Sequence, residues 1–182
     1  MDNRLDNQSP FELEEKSNKV FAFIPKYGLF AGLAMIISFL LFIILDLQYH
    51  QWTGYIASLF GFAIAFFGVK QFRTEISPKG YITFGQGFKA GFLIYLMGGL
   101  ISMAFYFLYT LVIDTSFMSG LISFTKDKMA EQGLNRDQIN ASMAYTQKFF
   151  QPQWMAIISL IFNIIFSAIC GLLIGMICKR DL

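Results

Sequence analysis

Charge is scarce in this sequence. Only 14% of its 182 residues are Asp, Glu, Lys or Arg, where a soluble domain carries about 25%. The net charge of +2 is small, and the basic residues form no dense run; both features argue against a nucleic-acid partner. Histidine occurs once, as His50, and cysteine twice, as Cys170 and Cys178. Two cysteines inside one apolar run exclude a disulfide framework and read as small apolar helix residues. With one histidine, a metal site could use only Asp46 and His50, four residues apart in a short loop. Two ligands in such a loop make a poor site. No nucleophile, base and orienting group stand in a recognisable array. The expectation is no enzyme, no cofactor and no metal.

What the sequence has instead is apolar length. Hydrophobic residues make up 55% of it and aromatics 18%, and the mean hydropathy is +0.54. Four runs contain no Asp, Glu, Lys, Arg or His: Tyr27 to Leu45, Trp52 to Val69, Phe92 to Ile113, and Trp154 to Cys178. A hydrocarbon core about 30 Å thick needs roughly 20 apolar residues in a helix, and a charge at mid-span would cost about 2.5–3.5 kcal/mol. Tyr27, Tyr49, Trp52, Tyr55, Tyr106, Tyr109 and Trp154 stand near the run ends, where amphipathic rings favour the headgroup layer. Residues 1–26 precede the first run and no small-x-small cleavage site follows it, so it reads as a retained span and not a signal peptide.

Lys and Arg set the orientation. Arg4, Lys16, Lys19 and Lys26 precede the first run. Lys70, Arg73, Lys79 and Lys89 lie between the second and third, and Lys179 and Arg180 follow the fourth. The loop Asp46 to Gln51 has neither residue type, and Lys126, Lys128, Arg136 and Lys148 in the segment 114–153 are balanced by Asp114, Asp127, Glu131 and Asp137. The expectation is an all-α integral membrane protein with both termini in the cytoplasm. It forms a single four-helix transmembrane domain over residues 1–182, with a cytoplasmic N-terminal segment at 1–26. An external amphipathic helical hairpin at 114–153 joins spans three and four.

Outside the runs, Ser9-Pro10-Phe11-Glu12 reads as a helix start, followed by Leu13, Ser17, Val20 and Ile24 at helical spacing. This predicts a short anchoring helix on the inner membrane face, ending before Pro25. In the hairpin, Met118, Leu121, Ile122, Thr125 and Met129 mark the apolar face of the first helix, and Gly133 ends it. Asn135 caps the second, with Gln138 at its third helical position and Leu134 and Ile139 at the spacing of a hydrophobic staple; its apolar face is Ile139, Met143 and Phe150. Such a hairpin covers the protein's own helices or the outer membrane surface, or it receives a protein or lipid ligand.

Two stretches are candidate functional elements. The first is Ser159, Asn163, Ser167, Gly171 and Gly175, small or polar residues at every fourth position of the last run. They read as an inclined helix-packing ridge, because association in lipid rests on close backbone approach and interhelical hydrogen bonds. The first or second span is its expected partner, with a homodimer seam as the alternative. The second element is the middle loop, Gly80 to Gly91, with Gly80, Thr83, Gly85, Gly87 and Lys89. Its Gly85-x-Gly87-x-x-x-Gly91 differs from a dinucleotide fingerprint in spacing and context. The glycines read as a tight entry into the third span, Thr83 as its cap, and Lys89 as a side chain reaching anionic headgroups.

At this point the chain resembles a known family. Tyr27-Gly28-Leu29-x-Ala31-Gly32 opens the first run, Gly68-Val69-Lys70-Gln71-Phe72-Arg73 closes the second, and Gly80-x-Ile-Thr-Phe-Gly-Gln-Gly-Phe-Lys89 precedes the third. Together, from about residue 20 onward, they are similar to the domain of unknown function 4199 family of uncharacterised bacterial inner-membrane proteins. The resemblance implies a cell inner (plasma) membrane location and a periplasmic hairpin, and brings no activity or site residues. The function expected is a multi-pass membrane protein acting as an accessory, assembly or lipid- or partner-interacting helical bundle. An oligomeric channel or small-molecule exporter, with Asn163 lining the pore, is the alternative. The partners expected are membrane lipids, a protein partner through the hairpin, and a second copy of the chain.

Overall fold

A computed structural model describes residues 10–76 and 82–179, with side chains described from residue 23 onward except those of Gln51 and Ile76. Ser9, Gly80 and Arg180 lie outside the described residues, as do the side chains on the apolar face proposed for residues 13–20. The regular elements described are helices: α1 (Pro10–Ile44), α2 (Gln51–Ile76), α3 (Phe84–Leu108), α4 (Phe117–Glu131), α5 (Arg136–Phe149) and α6 (Pro152–Cys178). Among the described residues, four stretches are long and apolar enough to cross a membrane: Phe23–Ile44, Trp52–Glu75, Phe84–Ile113 and Pro152–Cys178.

Two expected boundaries are corrected. The N-terminal helix does not end before Pro25; α1 runs through it. Proline removes one backbone hydrogen bond and crowds the preceding turn, a defect that apolar helices tolerate when neighbours hold the flanks. Here both flanks are held. Phe23 packs on Phe72 of α2 with ring centroids 5.6 Å apart, and Tyr27 lies against Gly68 and bonds Gln71. The third long helix begins at Phe84, at the expected Thr83 cap, so residues 84–91 of the expected middle loop are helix and not loop. Thr83 accepts from Gln86 N while the Gln86 side chain accepts from Thr83 N. That reciprocal cap satisfies two donors and starts α3 ahead of its glycines.

Helix α3 is the centre of the bundle. It packs against α6, α1 and α2, whereas α2 and α6 touch only lightly. Helices α1 and α3 cross on glycine. A Cβ at Gly98 would stand 2.8 Å from that of Ala31 and 3.2 Å from Gly28 O, and one at Gly32 would stand 3.0 Å from Gly98 O. At its far end α3 widens into a π-helical turn, Tyr109–Ile113, closed by Asp114 N→Tyr109 O at 2.8 Å. Thr110 Oγ1 bonds Tyr106 O at 3.0 Å, competing for a carbonyl of the regular ladder.

Helices α4 and α5 form the pair between the third and fourth apolar helices. Helix α4 ends in a left-handed Gly133, φ +85°, with Leu134 N→Met129 O at 3.2 Å, a Schellman closure. Asn135 and Gln138 cap α5 reciprocally, each bond 2.9 Å long. The anchor of α4 is not its expected apolar face. Met118, Leu121, Ile122, Thr125 and Met129 are half-buried, while Phe117 is buried among Phe39, Tyr49, Tyr106 and Tyr109, with centroids 5.3–6.0 Å apart. Phe124 adds contacts to Tyr49 and His50. This helix therefore seats on the α1–α2 loop and the end of α3. In α5, Met143 is buried and Ile139 and Phe150 are half-buried.

Candidate functional site

The small-residue ridge of α6 lies against α3, not against the first or second apolar helix. Gly175 approaches so closely that a Cβ there would be 3.0 Å from Phe88 N, and one at Gly171 would be 3.0 Å from Phe88 O. Gly87, across the seam, would put its Cβ 3.2 Å from Gly175 Cα, and Gly91 would meet Ile174 at 3.2 Å. Ser167 is fully buried and donates to Asn163 O at 2.6 Å. Farther along, Asn163 Nδ2 donates to Leu96 O at 3.3 Å, and its amide fills the space that a side chain on Gly99 would need. Ser159 lies beyond this contact, half-buried.

The glycine motif before the third span divides in two. Gly87 is buried in the seam, whereas Gly85 faces open space and Lys89 is exposed. Thr83 is exposed and acts as the helix cap. The partner of the ridge was missed because its own row, Gly87, Gly91, Tyr95 and Gly99, carries the same four-residue spacing but is interrupted by a large tyrosine. Read as loop glycines, Gly87 and Gly91 give no hint of a packing face. Two other glycine-bearing stretches are helix contacts too. Gly28 and Gly32 meet α3, and Gly68 meets the ring of Tyr27.

Above the seam the helices part. A cavity of about 760 Å³ opens between α2 and α6, with α1 and α3 behind it. At its floor the Ser58 and Tyr95 hydroxyls are hydrogen-bonded to each other, linking α2 to α3. Asn163 and Ser159 line the α6 wall, and Met35, Met103 and Met155 supply apolar surface. Phe39 and Tyr106 belong both to this wall and to the aromatic cluster that holds Phe117, so α4 is anchored at the cavity's upper rim. No lining residue is Asp, Glu, Lys, Arg or His. His50 sits outside, packed between Trp52 and Phe124. Among the described residues no three His, Cys, Asp or Glu side chains cluster as metal ligands would.

These features define a class: an all-helical bundle built on four apolar helices of membrane-spanning length, closed by small-residue seams around a central helix. Within that class, the chain belongs to the family described as Protein of unknown function (DUF4199), whose profile matches residues 26–180. The match takes in Tyr27–Gly32, Gly68–Arg73 and Gly80–Lys89. No curated protein and no solved structure shows significant similarity to the chain.

Proposed function

We propose that this protein is a multi-pass protein of the bacterial inner membrane that acts through contacts, as an accessory, assembly or lipid- or partner-interacting bundle. The observation that carries the reading is where polarity falls. The outward faces of the four long helices are apolar, with Ile37, Ile44, Leu59, Leu111, Ile161 and Ile177 all more than half exposed. An apolar surface of that extent on every long helix suits hydrocarbon and not water. Among the described residues the polar groups at mid-helix are hydroxyls and one amide: Ser58 with Tyr95 and Asn163 with Leu96 O join helices, while Ser38 and Ser167 bond carbonyls of their own helices. An ion-coupled carrier ordinarily places ionisable groups there.

The Lys/Arg distribution supports cytoplasmic termini and a cytoplasmic α2–α3 loop, with α4 and α5 outside. In that orientation the hairpin sits over the α1–α2 loop and offers α5 outward, Tyr145 and Phe149 standing exposed four residues apart. A second reading, an oligomeric channel or small-molecule exporter, draws on the cavity and its uncharged polar wall. Reconstitution separates the two. The contact reading expects proteoliposomes to pass potassium, chloride and small neutral dyes no faster than protein-free vesicles. Flux that rises with protein density and falls on Asn163→Leu would replace it with the channel reading.

A further inference from the structure

The cavity between α2 and α6 has a shape and a chemistry that the packing of the bundle does not use. Its volume, about 760 Å³, lies within the range of roughly 300–1,000 Å³ that ligand sites occupy. It is confined to one half of the bundle. The contributing residues come from the first two turns of α2, the second half of α1, α3 from its middle onward, and α6 up to its middle. The exposed rings of Tyr55 on α2 and Phe162 on α6 both line it, so its mouth faces sideways between two apolar helices. On the membrane reading above, that mouth opens into the leaflet on the hairpin side and not into water.

Polarity inside is specific. Ser102 and Ser159 both line the cavity, and neither hydroxyl has a hydrogen-bond partner among the described residues. Elsewhere in the same bundle, helical hydroxyls are satisfied locally: Ser38 bonds Ala34 O, Thr110 bonds Tyr106 O and Ser167 bonds Asn163 O. Two unpaired hydroxyls on facing helices are costly in an apolar medium, unless something between them completes their bonds. Asn163 Oδ1, bonded only by Ser167 Oγ at a long 3.5 Å, is a third open polar atom on the same wall. With no charged side chain in the lining, an ionic ligand would be buried without a counter-charge. The methionine surface adapts to chains of irregular shape.

We infer that this cavity binds one uncharged membrane amphiphile, with its carbonyl- or hydroxyl-bearing head on Ser102, Ser159 and Asn163 and its apolar chain leaving between Tyr55 and Phe162. The inference rests on the multi-pass membrane reading. That head chemistry is shared by neutral glycerolipids and by quinones, and the test distinguishes them.

The two tryptophans report on the site. Trp52 and Trp154 are the only ones in the chain; Trp154 adjoins the lining residue Met155 in sequence, and Trp52 stands two residues before the lining residue Gly54. Full-length protein in neutral detergent is titrated with three quenchers: a diacylglycerol brominated on its chains, a short-chain alkyl benzoquinone, and a phosphatidylglycerol brominated in the same way. Saturable quenching at one equivalent per chain is expected from one of the two uncharged probes, which identifies the head, and only weak linear quenching from the anionic one. The Ser102→Ala/Ser159→Ala pair removes two hydrogen bonds and should weaken the saturable phase about thirtyfold, roughly fivefold for each bond lost. Gly54→Phe should abolish it. Gly54 lines the cavity and a Cβ there meets nothing within 4 Å, so a side chain can leave the backbone at this position without a clash. Should Gly54→Phe fail to fold, as judged by thiol reactivity of the buried Cys170 and Cys178, Ser159→Leu fills the opposite wall. Equal linear quenching by all three probes overturns the inference, as does saturation that survives the folded filling variant. So does a dimer whose dissociation, and not probe addition, changes the tryptophan signal. Release of the protein from membranes by alkaline carbonate would instead overturn the membrane reading beneath it.

Discussion

Replacing Gly171 by leucine should be among the most damaging single changes to the bundle, and the geometry sets its scale. A Cβ at Gly171 stands 3.0 Å from Phe88 O, 3.1 Å from Phe92 N and 3.0 Å from Phe92 Cβ. Two of these three atoms are backbone, so no side-chain rotation can relieve the contact. Alanine already demands a helix shift of a few tenths of an ångström. Leucine adds three carbons beyond that point and forces α6 away from α3, at an overpacking cost of about 1–3 kcal/mol. Separation also stretches the Asn163 to Leu96 bond on the same seam, worth roughly 0.6–1.7 kcal/mol in a membrane protein. A total near 2–4 kcal/mol corresponds to a drop of roughly 4–16 °C at 2–4 °C per kcal/mol for a chain of this size. The control is Leu172→Ala. Leu172 is 44% exposed on the outer face, where detergent or lipid replaces whatever it touches, so the shift should stay within about 0.5 kcal/mol. Thermal unfolding in mild detergent, followed with a thiol-reactive dye on the buried Cys170 and Cys178, measures both variants on one scale. Gly171→Ala should fall between them. Equal small shifts for Gly171→Leu and Leu172→Ala would refute the seam.

Three further changes test separate parts of the structure by the same assay. Asn163→Ala removes the bond to Leu96 O without adding bulk against Gly99, and should cost about 0.6–1.7 kcal/mol. Gly133→Ala places a Cβ on a backbone with φ +85° and should cost about 1–2 kcal/mol, although a side chain there meets nothing within 4 Å; an unchanged melting point would show that the α4–α5 turn relaxes freely. Thr83→Ala abolishes the reciprocal cap of α3 and should cost about 1 kcal/mol. Thr83→Ser, which keeps the acceptor oxygen, should recover most of it.

The long helices were legible because uncharged runs of spanning length have few other uses. The α5 cap was legible because Asn135 and Gln138 are local in sequence and act alone. Where inference failed, the deciding contacts were distant. Pro25 predicts a helix end on local grounds, and contacts from Phe72 and Gly68, more than forty residues away, carry α1 across it. The start of α3 was legible in Thr83, read as its cap, but the glycines beside it read only as a tight entry into the span, and their reason for being small lies on α6. The α6 ridge announces that something comes close without naming it; its partner row on α3 contains Tyr95, which hides the pattern. Phe117 stands outside the apolar stripe that helical spacing marks along α4, and its burial comes from rings on α1, α3 and the loop between α1 and α2. The π-helical turn at Tyr109–Ile113 has no sequence signature beyond a threonine. The cavity had none at all, since ordinary residues from four helices line it and only their spatial meeting makes it.

Four membrane crossings with both termini inside, and with α4 and α5 outside, are the central claim, and site-directed thiol labelling tests it directly. Asn140 is exposed on α5, and Lys79 lies in the chain between α2 and α3. The native Cys170 and Cys178 are buried and provide the internal blank. In intact spheroplasts of a Gram-negative host, Asn140→Cys should react with a membrane-impermeant maleimide. Lys79→Cys should react only after lysis. The reverse pattern would contradict the orientation, and labelling of both in intact spheroplasts would contradict the number of crossings.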